Sequence, residues 1–322
     1  MRIAVVINAA AGGLLGRQEV AARMAETLCA AGLDPLVVPE HGTLGERLDA
    51  ALATDAAAVV VGGGDGTITA AAQRLAGTGV PLGILPLGTM NVLARDLGLP
   101  LELEAAAAAL VHGHARAIDV AEVNGHVFLN ASIIGLPSHL GRHRERERGR
   151  FDLRARLRFA TAALRSALRH PPMRLQVLAN GRSLRIWTRA LAVTCNRLDE
   201  DAARFPARSV LDRGELGLYV AKDFGAWWVL RFALRVLLRR WRDHPELSAT
   251  TAPEITIVSG RRRLRVMNDG EAFLLATPLT YRIRPGALQV LVPRGATAET
   301  APAPPLERRA AAGSAETATS GS

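Results

Sequence analysis

The first 115 residues alternate between short apolar runs and segments with helical periodicity. Ile3–Ile7 is continuously apolar, as expected for a central strand of a parallel sheet. Val20, Met24 and Leu28 then recur at helical spacing, and Gly32 is a helix stop signal. The alternation continues with strands predicted at Leu36–Val38, Ala57–Val61 and Leu82–Leu85, and helices at Leu44–Leu52, Thr67–Leu75, Val92–Leu97 and Leu103–Val111. Strands that alternate with helices predict a parallel sheet with helices on both faces.

From Ile118 onward the pattern changes to short apolar segments that are typical of strands. The candidate strands are Ile118–Val123, His126–Ala131, Leu175–Leu178, Leu184–Thr194, Leu216–Val220, Ile255–Val258, Leu264–Met267 and Leu288–Val292. Two helical segments interrupt them, Phe151–Leu168 and Ala226–Arg242. The pattern predicts a mostly antiparallel second domain over residues 118–283, after a first domain over residues 1–117.

The length of 322 residues fits two domains, since a domain usually has about 100–200 residues. From Ala296 the chain consists mostly of Ala, Pro, Ser, Thr and Glu, with almost no large apolar side chain. Such a segment cannot offset its ordering entropy, so residues 296–322 are predicted to be a disordered tail. No run of about 18 apolar residues occurs, and no transmembrane helix is predicted.

The chain carries a net charge of +10, yet Lys222 is its only lysine. The G-x-x-x-x-G-K-[ST] phosphate loop and the V-A-I-K strand of protein kinases both need a lysine, so both classes are excluded. Cys29 and Cys195 form neither a disulfide framework nor a zinc site, which indicates a reducing, cytoplasmic location. Aromatic residues make up only 4% of the chain, so no stacking platform for nucleic acid is predicted.

The most informative local feature is the glycine loop, Gly62–Gly66, between a buried strand and a helix. Glycines there let backbone N–H groups approach an anion, although a plain turn is the alternative. A dinucleotide fingerprint is not indicated, because after Asp65 the next acidic residue is Asp96. The Asp65 carboxylate would repel a bare phosphate unless Mg²⁺ bridges the two or the carboxylate orients a hydroxyl. We therefore interpret the loop as a nucleoside triphosphate site.

Two further clusters accompany the glycine loop. Thr89 and Asn91 follow the fourth predicted strand, where they either cap the next helix or contact the same ligand as Thr67. Asn8 and the Gly12-Gly13 pair follow the first strand and open onto the same edge of the sheet. Far along the chain, Asp269-Gly270-Glu271 follows a strand and by itself is typical of a hairpin turn.

Taken together, these segments resemble the diacylglycerol kinase catalytic family, which includes bacterial lipid kinases and the sphingosine kinases. The matching segments, in order, are Ile7-Asn8, Gly63-Gly64-Asp65-Gly66-Thr67, Pro86-Leu87-Gly88-Thr89-Met90-Asn91, Ala94-Arg95-Asp96-Leu97-Gly98, Asp269-Gly270-Glu271 and Arg284–Pro293. The glycine-aspartate motif alone is shared with NAD kinases, whereas the ordered set is specific.

The resemblance implies an α/β fold, with an N-terminal Rossmann-like parallel-sheet nucleotide-binding domain and a C-terminal antiparallel β-sandwich for the lipid. The final strand, near residues 284–293, is expected to return to the first domain. ATP and Mg²⁺ are the implied cofactors, with Glu271 as general base beside Asp269. The residues expected to bind the nucleotide are Asn8, Gly12, Gly63, Gly64, Asp65, Gly66, Thr67, Ile68, Thr69, Thr89 and Asn91, with Asp65 also expected at Mg²⁺.

The sequence departs from the family pattern in two places. Ala9 stands where the first-strand loop usually has proline, and Arg17 is the candidate for the basic residue of that loop. Bacterial members often hold a structural metal in a loop before a strand, and here Arg213 stands where a ligand aspartate would align. Either Asp212 substitutes as a ligand or that metal site is lost.

The segment Ala226–Arg242 bears tryptophans together with a stripe of arginines, Arg231, Arg235, Arg239 and Arg242. Such a helix suits a membrane interface, but the pattern favours a cover for the second domain's sheet. The expected function is an ATP-dependent lipid kinase on the inner face of the membrane. Its acceptor is diacylglycerol, a sphingoid base or phosphatidylglycerol. The alternatives are a soluble-metabolite kinase of the NAD-kinase type and a catalytically silent nucleotide-binding module, and a homodimer is left open.

Overall fold

The computed structural model describes residues 1–8, 17–135, 172–199, 207–221 and 247–294. The first part contains β1 (Arg2–Ile7), α1 (Arg17–Ala30), β2 (Asp34–Val37), α2 (Leu44–Leu52), β3 (Ala58–Gly63), α3 (Asp65–Leu75), β4 (Leu82–Pro86), α4 (Val92–Asp96) and α5 (Leu103–Val111). The second part contains β5 (His114–Val123), β6 (His126–Phe128), β7 (Ala131–Gly135), β8 (Met173–Ala179), β9 (Arg182–Thr188), β10 (Ala190–Cys195), β11 (Leu216–Ala221), β12 (Leu247–Ala252), β13 (Glu254–Ser259), β14 (Arg263–Asn268), β15 (Glu271–Ala276) and β16 (Leu279–Val292).

The N-terminal part is a parallel sheet with the strand order β2-β1-β3-β4 and helices on both faces. Side chains alternate across β1, so Val5 packs with Leu28 of α1, whereas Val6 packs with Leu48 of α2 and Ile68 of α3. Because both faces are covered, β1 and β3 need apolar side chains at nearly every position. This explains their continuous hydrophobic runs.

The long strand β16 joins the two parts of the chain. It pairs with β4 in parallel at Val290↔Leu82 and with β13 in antiparallel fashion. It also pairs with β5 along most of its length, with a register shift between Arg284 and Leu288. The resulting ten-stranded sheet therefore continues from the parallel layer into the C-terminal part.

The second sheet is antiparallel, with the strand order β12-β11-β10-β7-β14-β15. Its inner side chains, such as Val193 and Val266, pack against Tyr281 and Ile255 of the first sheet. The two sheets enclose one apolar core, which is the arrangement of a β-sandwich. The expected fold class, a parallel α/β layer followed by an antiparallel β part, is confirmed. The expected boundaries between domains stay predictions.

The structure corrects several predicted elements. The single strand expected over His126–Ala131 is wrong, because Leu129 and Asn130 interrupt it between β6 and β7. The single strand expected over Leu184–Thr194 is likewise two strands, β9 and β10, separated at Arg189. The predicted helices Phe151–Leu168 and Ala226–Arg242 and the predicted tail lie outside the described residues. Within the described ranges, no helix is both long enough and apolar enough to cross a membrane.

Candidate active site

The glycine loop forms the start of α3 at the carboxyl end of β3. Gly64 is the N-cap of α3 in an extended conformation and provides no side-chain hydrogen bond to the helix. The first N–H groups of a helix have no intrahelical partner, so this terminus can receive an anion. A Cβ on Gly63 would lie 2.6 Å from the Cβ of Thr67, and one on Gly88 would lie 2.6 Å from the Cα of Gly64. Only glycine fits at these two close approaches.

Asp65 connects the glycine loop to the loop that follows β4. Its Oδ2 accepts a hydrogen bond from the N–H of Asn91 (3.1 Å), and its Oδ1 accepts one from the N–H of Val92 (2.7 Å). The carboxylate therefore caps α4, whose N-cap Asn91 has no side-chain cap bond of its own. Each carboxylate oxygen still has acceptor capacity beyond this one bond. Asp65 thus fixes the loop after β4 to the glycine loop, a role that the sequence interpretation did not include.

The side chains of Asn91 and Asn8 make further hydrogen bonds around the glycine loop. Asn91 has a left-handed backbone (φ 46°), and its side chain bonds the N–H and the C=O of Gly88 at 3.0 and 2.8 Å. Asn8 donates from Nδ2 to Oγ1 of Thr67 at 2.9 Å. Thr89 is exposed on the same loop. These contacts bring Asn8, Thr67, Thr89 and Asn91 to one edge of the parallel sheet, as their positions after the strands predict.

The Asp-Gly-Glu segment is the turn of the β14–β15 hairpin. Asp269 and Gly270 both have positive φ values, 47° and 96°, which is the conformation of the tight turns that join antiparallel strands. The side chain of Asp269 lies within the protein, where four donors reach its carboxylate. These donors are Thr69 Oγ1 (2.9 Å) and the N–H groups of Leu129 (2.7 Å), Asn130 (2.9 Å) and Ala131 (2.9 Å).

Burial raises the pKa of Asp269, and its hydrogen bonds from Leu129, Ala131, Thr69 and Asn130 oppose that rise. These bonds also explain why the chain breaks its strand between β6 and β7, since the N–H groups there turn toward Asp269. The hairpin turn is therefore fixed to α3 through Thr69. The sequence interpretation had assigned Thr69 to the nucleotide instead.

Glu271 reaches the glycine loop from the C-terminal part of the chain. A Cβ built on Gly66 would lie 2.9 Å from Oε1 of Glu271, so this carboxylate oxygen lies against the first turn of α3. One face of α3 contacts the second part of the chain. Gly66 lies against Glu271, Thr69 donates to Asp269, and Gln73 accepts from the N–H of Val127 (2.8 Å). Glu271 itself is exposed, as a side chain that acts on a bound substrate must be.

The arrangement fits a nucleotide phosphate with Mg²⁺. No group of three or more His, Cys, Asp or Glu side chains with metal-binding geometry exists within the described residues. Mg²⁺ in nucleotide sites is usually held by one or two carboxylates together with the phosphates, so a full protein cage is not required. The Asp65 carboxylate lies at the glycine loop and would supply that part of the shell.

Ile68 is buried in the core at 4% exposure, and its N–H donates to the C=O of Gly64 (3.1 Å), which gives this residue a structural role.

In the candidate structural metal loop, Oδ2 of Asp212 lies 3.6 Å from the Nη2 of Arg116. The backbone N–H of Arg213 donates to Asn196 at 3.0 Å. Whether a structural metal survives there stays a prediction. Gly12 lies outside the described residues, as does the Ala226–Arg242 segment.

Sequence reasoning missed two buried residues with charged side chains, Arg208 and Asp119. Arg208 is 3% exposed and forms a buried ion pair with Asp96 at 2.8 Å. Asp119, also 3% exposed, accepts hydrogen bonds from the N–H groups of Gly214 (2.7 Å) and Gly286 (2.9 Å). No sequence pattern distinguishes Arg208 among the many arginines. Asp96 entered the sequence analysis only as the next acidic residue after Asp65 and as part of a family motif.

Comparison with known proteins agrees with this geometry. A family model described as "Diacylglycerol kinase catalytic domain" matches residues 2–123. A second model, described as "YegS C-terminal NAD kinase beta sandwich-like domain", matches residues 137–292. The first match ends with β5, and the second begins two residues after the end of β7, so β6 and β7 lie between the two matches.

Curated relatives include a protein of Pseudomonas aeruginosa named "Probable lipid kinase YegS-like", which is 45% identical over 130 residues. That match covers 39% of this chain and 43% of the relative. A protein of the same name from Yersinia pestis is 40% identical over 106 residues, which are 31% of this chain and 36% of the relative. The matched segments thus span less than half the length of these curated relatives.

Among solved structures, a diacylglycerol kinase from Bacillus anthracis str. Sterne aligns with a TM-score of 0.64 at 20% identity. The alignment covers 92% of this chain and 98% of that one. A second structure from the same strain gives a TM-score of 0.70 at 22% identity with the same coverage. At these identities the likeness shows a shared fold across nearly the whole chain.

Proposed function

We propose that the chain transfers the γ-phosphoryl group of ATP to a hydroxyl of a membrane lipid, because the diacylglycerol kinase catalytic domain model matches its residues 2–123. The observation that carries the proposal is the contact of Glu271 with Gly66, which puts a carboxylate beside a helix terminus that suits phosphate. The acceptor is diacylglycerol or a related lipid, such as a sphingoid base or phosphatidylglycerol.

The glycine loop binds the phosphates of ATP in this proposal. The backbone N–H groups at the start of α3 donate to phosphate oxygens, and the helix dipole favours their negative charge. Asp65 keeps the loop of Gly88–Asn91 close to α3, so Thr89 reaches the same ligand. The Asp65 carboxylate would hold Mg²⁺ together with the nucleotide, and the ion would supply positive charge beside the phosphates.

Glu271 acts on the acceptor. Its carboxylate accepts the proton of the lipid hydroxyl, which makes the oxygen a better nucleophile as it attacks the γ-phosphorus. Asp269 does not act on the proton directly, because all four donors around its carboxylate belong to the protein. Its role is to hold the turn that carries Glu271.

The experiment is phosphorylation of a lipid panel by the purified full chain with radiolabelled ATP in mixed micelles. The panel contains diacylglycerol, sphingosine and phosphatidylglycerol, and NAD is supplied separately as a soluble acceptor. Label in one of the lipids supports the proposal, whereas label in NAD alone contradicts it.

The Glu271→Gln variant tests the assignment of the base. It should keep ATP affinity near the wild-type value and lose about 10²–10⁴-fold in kcat, the usual contribution of general-base catalysis. If Glu271→Gln keeps full turnover while Asp65→Asn loses it with ATP still bound, the base is Asp65 instead.

Peripheral membrane contact is the second part of the proposal. The arginine stripe of the 226–242 segment would attract anionic headgroups, with each arginine near the surface contributing about 1 kcal/mol. Co-sedimentation with vesicles of phosphatidylglycerol and phosphatidylcholine should show binding that weakens as salt rises. Arg231, Arg235 and Arg239 replaced together by Gln should reduce that binding. Salt-independent binding, or unchanged binding by this variant, would remove the membrane role from the stripe.

A further inference from the structure

Arg208 is a buried cation with every donor in use. A guanidinium has five N–H donors in a fixed plane, and Arg208 makes five hydrogen bonds to four acceptor atoms. Nε and Nη2 donate to Oδ2 of Asp96 at 3.0 and 2.8 Å. Nη1 donates to the backbone oxygens of Leu129 and Cys195 at 2.5 and 2.8 Å, and Nη2 also donates to Oδ1 of Asn130 at 2.6 Å.

Two of these acceptors belong to the segment that holds the Asp-Gly-Glu turn. Leu129 accepts a hydrogen bond from Arg208 at its backbone oxygen, and Asn130 accepts one at its Oδ1. The N–H groups of both residues donate to the carboxylate of Asp269. Arg208 therefore fixes the donors that fix Asp269. Asp269 in turn sets the hairpin from which Glu271 reaches Gly66.

Asp96, a further partner of Arg208, belongs to the nucleotide side of the site. Asp96 is the last residue of α4, and its side chain is only 1% exposed. The N-terminus of the same short helix is held by Asp65 of the glycine loop through Asn91 and Val92. One guanidinium thus connects the element behind the glycine loop with the segment behind Glu271.

We propose that Arg208 is a positioning residue that sets the placement of Glu271 relative to the glycine loop. The proposal rests on the proposed function, since the placement matters for the transfer of the phosphoryl group. Arg208 touches neither Glu271 nor Gly66 in the contacts described above, so its effect on the reaction passes through the 129–130 segment and Asp269.

The informative variant is Arg208→Lys, because it keeps the positive charge opposite the buried Asp96. An ammonium has only three donors on one nitrogen and cannot serve acceptors spread along the planar fork. The matched control is Arg282→Lys, since Arg282 also donates from Nε to a carboxylate, that of Glu254 at 3.1 Å. This control pair is exposed, with side chains 59% and 52% accessible.

Kinetics are measured at a temperature where all variants are fully folded by circular dichroism. Arg208→Lys should lower kcat by about 10–100-fold, the effect of a misplacement of up to about 1 Å, while the KM for ATP changes less than about threefold. In the Glu271→Gln background the same change should lower the residual kcat by less than about threefold, because the group it positions is already disabled. A purely structural role predicts equal losses in both backgrounds.

A second measurement does not depend on the reaction. Amide hydrogen exchange at Leu129, Asn130 and Ala131 should accelerate by about tenfold or more in Arg208→Lys and stay unchanged in Arg282→Lys. If the wild-type chain labels no lipid, the proposed function fails, and exchange alone decides on Arg208. If the wild type is active but Arg208→Lys keeps both its kcat and its exchange pattern, Arg208 loses its positioning role while the kinase assignment stands.

Discussion

The contact between Gly66 and Glu271 makes Gly66→Ala a test that separates stability from activity. Gly66 is the second residue of α3, and a Cβ there would meet only the flexible end of Glu271, with Oε1 at 2.9 Å. Ordinary contact begins near 3.4 Å, so the carboxylate must retreat by about 0.5 Å, which in an active site reduces kcat by about tenfold. Alanine in place of glycine in a helix should raise the free energy of unfolding by up to about 1 kcal/mol.

The assay pairs urea unfolding with lipid phosphorylation, and Gly45→Ala is the control. Gly45 is likewise the second residue of its helix, α2, and its Cβ would meet the end of an exposed side chain, Arg74 Nη2, at 2.8 Å. We expect both variants to be as stable as the wild type or more so, and only Gly66→Ala to lose turnover. Full turnover by Gly66→Ala would refute the view that Glu271 works from its position against the glycine loop.

Two further predictions concern buried groups. Asp269→Asn should lower the free energy of unfolding by about 1–3 kcal/mol for each donor left unpaired. An amide has one acceptor oxygen, so at least two of the four donors around Asp269 lose their partner. An unchanged urea midpoint would contradict this prediction. Alkylation at pH 8 should modify exposed Cys29 alone, because burial raises the pKa of Cys195 to about 12. If mass spectrometry finds two modified thiols in the folded protein, Cys195 becomes exposed to solvent in the native state.

The parallel layer could be predicted from the sequence because its physics is local and strong. β1 and β3 are covered on both faces, so their apolar runs are continuous and bounded by glycine or by helical periodicity. The glycine loop was recognisable from its own residues, because Asp65 lies among glycines at the end of a buried strand, where a carboxylate suits a metal-bound phosphate. The bounds of α2 agree with its predicted range, and its N-cap Thr43 has the capping-box partner Glu46.

The elements that were missed depend on partners far along the chain. β15 has exposed side chains at Glu271, Ala272 and Leu274, so its pattern does not resemble a half-buried strand. The break between β6 and β7 arises because the N–H groups of residues 129–131 bind Asp269, about 140 positions later. Arg208 acquires its role from acceptors in three separate segments. No local pattern contains that information.

Asn268 offers a last test of how the hairpin beside the site is built. It ends β14 at 1% exposure, and among the described residues neither its Oδ1 nor its Nδ2 has a hydrogen-bond partner. The alternation of β14 puts Asn268 on the same face as Val266, which packs in the sandwich core. A buried amide without partners costs about 1–3 kcal/mol.

Asn268→Leu keeps a similar volume and removes both polar atoms, so it should raise the free energy of unfolding by about 1–3 kcal/mol in urea denaturation. Asn268→Asp is the opposing variant and should destabilise the protein, because it buries a charge that has no partner. A loss of stability in Asn268→Leu would show instead that the amide is satisfied in solution, by a buried water that bonds both of its polar atoms.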